Sequence, residues 1–93
     1  MTQEEYEKNW KERGYSFGVG FVTLEQGVDE ASHDDKDELV VVVNGKLEFV
    51  IDDNKFIAEC DKEVFIPAKS IHSIKNIGTG DSKIFYGYKT TSI

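Results

Sequence analysis

The 93-residue chain sets 18 Asp and Glu against 11 Lys and Arg, a formal net charge of −7. Such a length supports one domain with a single modest core, and such a charge excludes the basic surface that a nucleic-acid partner requires. The lone Cys60 leaves no disulfide framework and no cysteine-based metal motif, and no apolar run is long enough to span a membrane. Met1 is followed by Thr2, Gln3, Glu4 and Glu5, which is no signal peptide. The expectation is therefore one cytoplasmic domain over residues 1–93 with no membrane or nucleic-acid partner. Nor is a nucleotide cofactor expected, because Gly18-Val19-Gly20 sits in a strand pattern and opens no helix.

Thr2 to Glu5 has the spacing of a capping box, which predicts a short helix over about residues 3–12, ended by Gly14. Tyr6 and Trp10 share one face of it and need a surface to cover, either the outside or one mouth of the strands. Phe17 to Leu24 reads as a strand interrupted by glycines, and from Gly27 to about Asp37 the chain reads as an acidic loop. Glu38 to Ile51, ELVVVVNGKLEFVI, then holds two β-branched and aromatic runs around Asn44-Gly45. This is the signature of a two-residue hairpin, with Val43 facing Lys46 and Glu38 facing Ile51. Alternation puts Val40, Val42, Leu47, Phe49 and Ile51 on one side, with Glu38 at its end.

Asp52-Asp53-Asn54 marks a turn, and Lys55 to Cys60 a strand with Phe56, Ala58 and Cys60 inward, so that Cys60 reads as a small buried hydrophobe. Val64, Phe65 and Ile66 suit either face, with Pro67 marking an edge or a strand end. His72, Ile74 and Asn76 alternate with Ile71, Ser73 and Lys75; Ile84, Tyr86 and Tyr88 stand opposite Phe85 and Gly87. Short strands with frequent turns predict an all-β fold, a small barrel or sandwich, and closure or a homodimer would protect the long Val-rich and Ile-rich strands. Tyr6, Trp10, Tyr86 and Tyr88 read as packing residues.

His33, Glu38 and His72 are the residues with the chemistry of a metal site. Imidazole nitrogen and carboxylate oxygen suit a divalent ion such as Fe, Mn, Zn or Ni, and a set of three leaves positions open for a small molecule. Asp35 is the natural fourth ligand if its segment is extended, and Asp34 if the loop kinks. The plainer reading makes His33 an exposed loop residue, pairs Glu38 with Lys46 or Lys69, and bonds His72 to Asn76.

These residues resemble the motifs of the cupin family, small jelly-roll β-barrels. Gly27, its loop, and Glu38 through LVVVVN to Gly45 are similar to the first motif; DKEVFIPAKSIHSIKN carries Pro67, His72 and Asn76 in the places of the second. The resemblance covers about residues 17–90 and implies a cupin-type jelly-roll barrel behind a helical segment over 1–14. It also implies a divalent metal held by Glu38, His72 and His33, with Asp35 as a substitute. The family's paired histidines are here a single His33: its partner's place falls on Asp35 or Ala31, and Ser32 and Asp34 take those places under other loop lengths. The expected function is binding of a divalent metal and a small organic molecule at the barrel mouth, or else metal-free ligand recognition by a regulatory module.

Overall fold

The computed structural model describes residues 1–24, 28–32 and 35–91, with only the backbone of 28–32. Helix α1 spans Gln3–Glu12 and carries the capping box reciprocally. The Glu5 amide donates to Thr2 Oγ1 at 3.2 Å, and the Thr2 amide donates to Glu5 Oε1 at 2.8 Å. Gly14 follows at φ 88°, a left-handed conformation that lets the chain leave the helix at low cost.

Eight strands follow, β1 (Gly18–Val22), β2 (Val28–Ser32), β3 (Lys36–Val42), β4 (Leu47–Ile51), β5 (Asn54–Ala58), β6 (Glu63–Ile66), β7 (Ile71–Asn76) and β8 (Ser82–Thr90). They form two antiparallel sheets, ordered β1-β8-β3-β6 and β2-β7-β4-β5. The expected all-β jelly-roll architecture is present, but as two stacked layers rather than a closed barrel. Burial explains the difference: the inner faces already cover each other through Val22, Val40, Val42, Leu47, Phe49, Ala58, Val64, Ile66 and Ile74. Stacking removes that surface from water without joining the sheet edges. Of the edge strands, β5 carries Lys55, and β6 stops before Pro67.

The hairpin expected at Asn44-Gly45 does not form. β3 pairs with β6 and β8, while β4 pairs with β5 and β7, so the dipeptide carries the chain from one sheet to the other. Gly45 stands at φ 89°, and a Cβ there would lie 2.9 Å from Ser82 Cβ; Asn44 Oδ1 accepts from the Lys83 amide at 3.1 Å. The turn residues thus dock the crossover onto the start of β8. The tight hairpin is the next one: Asp52-Asp53 joins β4 to β5, with Asp52 at φ 51°.

Two further expectations are corrected. The acidic stretch read as loop contains β2, which pairs with β7 around a register shift between Val28 and Ala31. An edge strand needs partners on one side alone, so it tolerates the poor strand formers Asp29 and Glu30. Cys60 is exposed rather than buried. β5 ends at Ala58 and the chain turns through Asp61 at φ 61°, so strand alternation stops before it reaches Cys60. Phe56 shares the side of Ala58 and stacks on Phe49, with centroids 5.7 Å apart, yet is 38 % exposed on this edge strand.

α1 lies on the outer face of the first sheet. Tyr6 and Trp10 pack there with Leu39, Val41 and Phe85 in a second buried cluster. Gly87 makes room for them, since a Cβ at that position would stand 3.0 Å from Trp10 Cε3. Alternation along β3 therefore serves two cores at once, Val40 and Val42 inward and Leu39 and Val41 toward the helix. β6 resolves in the same way, with Val64 and Ile66 buried and Phe65 exposed.

Candidate functional site

At the end of the sandwich where β3 begins and β8 ends, the inner face changes from hydrocarbon to polar groups. Glu38 continues the inward row of Val40 and Val42, and His72 continues the row of Ile74 and Asn76 on the opposite sheet. Their parity is the reason the two meet. Glu38 Oε1 and His72 Nε2 lie 3.8 Å apart, with side chains 7 % and 3 % exposed.

Tyr88 completes the cluster. It is the register partner of Glu38 across the β3–β8 ladder, and its hydroxyl hydrogen-bonds the Glu38 carboxylate. Burial pushes the Glu38 carboxyl from 4.5 to about 7, and the Tyr88 hydrogen bond, which favours the charged form, offsets that only in part. The Tyr88 hydroxyl is itself pushed up, first by burial and then by the Glu38 charge.

Glu38 and His72 are therefore brought together. Asp35 is exposed and does not join them. It precedes β3 on the opposite parity from Glu38, and its own carbonyl accepts from the Thr91 amide at 2.7 Å, which ties this stretch to the end of β8. Among the described residues no three His, Cys, Asp or Glu form a metal-holding group. His33, Gly27 and Asp34 lie outside the described residues.

Asn76 turns elsewhere than to His72. Its side-chain amide donates to the carbonyls of Val22 at 2.8 Å and Gly80 at 3.0 Å, and its oxygen accepts from the Gly78 amide at 2.9 Å. It braces the end of β7 against β1. Among the described residues Glu38 meets His72 and Tyr88 rather than Lys46 or Lys69. Tyr88 is the residue that sequence reasoning left among the packing aromatics. Its shared side with Ile84 and Tyr86 was legible, but which face that side takes, and the pairing that sets it beside Glu38, depend on distant parts of the chain.

The sequence profile of the cupin domain family matches residues 20–88, most of the chain. The chain belongs to the cupin family. No curated protein matches this cupin. Solved structures similar to it include the cupin domain of Cnp3 from Schizosaccharomyces pombe, with TM-score 0.77 and 22 % identity over 85 % of this chain and 55 % of that one. This cupin thus spans about half the length of the Cnp3 chain. A predicted oxalate decarboxylase from Thermotoga maritima gives TM-score 0.75 and 15 % identity over 97 % of this chain and 75 % of that one. An oxalate oxidase solved in complex with glycolate gives 0.73 and 15 % over 86 % and 44 %. At these identities the likeness is one of fold.

The donor chemistry of this cupin fits a divalent ion. A carboxylate oxygen and an imidazole nitrogen face each other from opposite sheets, and their 3.8 Å separation lies within the ~4 Å that two ligands of one ion span. The same two side chains are deeply buried, so a cation would relieve the cost of an ionised Glu38 there.

Proposed function

We propose that this cupin binds a divalent metal ion through Glu38 and His72 and, beside it, a small oxygen-bearing organic molecule. The observation that supports this reading is the approach of a buried carboxylate and a buried imidazole from facing sheets to 3.8 Å. Neither side chain gains from its burial unless something there uses it. The ion, when bound, would supply Lewis acidity toward an oxygen of the small molecule. The chain's own groups do the rest: Glu38 and His72 would hold the ion, and Ile51, packed against the inter-sheet core, keeps the surroundings apolar. His33 is proposed as a third ligand on the strength of the motif alone; Asp35, exposed and on the opposite parity from Glu38, is not proposed as one. An oxalate oxidase of similar fold was solved with glycolate, so small hydroxy acids and diacids are the probes to try first.

A second reading is favoured by the Tyr88 hydroxyl, which already gives the buried acid a partner without any metal. In that reading the same three groups hydrogen-bond a small polar ligand directly. Calorimetric titration of the untagged protein with Mn(II) and Co(II) separates the two. The metal reading expects saturable binding that falls at least a hundredfold in both Glu38→Gln and His72→Ala. Binding unchanged in either variant sinks it, and binding of glycolate or oxalate by the metal-free protein would support the second reading.

A further inference from the structure

Tyr88 is more firmly seated than a packing aromatic at a strand end needs to be. Its ring meets Tyr86 edge-on at 6.1 Å between centroids, and Lys36 Nζ lies 6.0 Å from its centre. Tyr86 in turn fills the space over Gly18 and Gly20. A Cβ on these residues would come within 2.7 Å and 3.3 Å of its ring. The two glycines that interrupt β1 thus leave room for one tyrosine, which packs beside the next. The hydroxyl of that second tyrosine meets the buried carboxylate of Glu38.

We propose that Tyr88 is a positioning residue, whose hydroxyl holds the Glu38 carboxylate turned toward His72 so that acid and imidazole address the same ion. The inference rests on the reading of Glu38 and His72 as metal ligands. Its physical basis is the freedom of a carboxylate about its terminal bond. A phenol fixed by its own neighbours removes that freedom, and because the carboxylate accepts through two oxygens it keeps capacity for an ion. Residues that orient a ligand in this way change metal affinity by about 10- to 100-fold when lost.

The test is Co(II) binding to the untagged protein, followed by calorimetry and by the visible absorption of the bound ion, for wild type, Tyr88→Phe, Tyr86→Phe and Glu38→Gln. Tyr88→Phe keeps the ring and its neighbours and loses only the hydroxyl. It should bind Co(II) about tenfold more weakly and with an altered absorption spectrum. Tyr86→Phe should match wild type in both. If Tyr88→Phe keeps the wild-type affinity and spectrum while Glu38→Gln loses the ion, the positioning role is wrong and the metal reading stands. If wild type binds no Co(II), or Glu38→Gln binds as well as wild type, both fall.

Discussion

Glu38 shows how much one side chain's surroundings decide. Its inward direction was legible from alternation with Val40 and Val42, but its chemistry depends on His72 and Tyr88, which arrive from other strands. In the metal-free protein its carboxyl titrates near 7, whereas in the unfolded chain it titrates near the ordinary 4.5. Between those values the folded state holds a proton that the unfolded state has released. Its stability contribution is therefore present at low pH, falls as pH rises through that window, and levels off above it. Melting temperature followed from pH 5 to 8 without metal should decline more in wild type than in Glu38→Gln. Parallel profiles would mean that Glu38 ionises as an ordinary surface acid. His33 marks the other limit at this scale: the motif names it, and its position lies outside the described residues.

At the scale of elements, α1 was the most legible part of the chain because its signals are local. Capping box, length and buried face all follow from residues within four of one another. What the helix covers is set by strands far along the chain: Leu39, Val41 and Phe85. Trp10→Ala should cost ~3–5 kcal/mol, because the side chain is fully buried and the cavity would be lined by rings. Thr2→Ala, which removes only the cap, should cost about 1 kcal/mol. Urea unfolding of the two variants checks both, and equal losses would contradict the packing described for α1. Asn44-Gly45 is the converse case. Its local signal for a hairpin was strong, but a crossover that docks on Ser82 and Lys83 also uses its left-handed freedom, and pairing partners elsewhere decided between the two.

Across the whole molecule β3 is the common wall of both hydrophobic clusters, inward through Val40 and Val42 and outward through Leu39 and Val41. Neither cluster survives without that strand, so they should melt together. Trp10 fluorescence, which reports the helix side, and far-ultraviolet circular dichroism, which reports the strands, should give coincident unfolding curves; separated midpoints would show two independent units. By itself the sequence determined most of the local features: the helix and its buried face, the strands other than β2, which side chains alternate, and that Glu38 shares the inward side of Val40 and Val42. These depend on residues close along the chain and on strand period. Only the tertiary structure decided which strands are neighbours, that the layers stack instead of closing, and that Tyr88 stands beside Glu38. Pairing between distant strands is chosen by the burial of both faces at once, which no window of sequence contains.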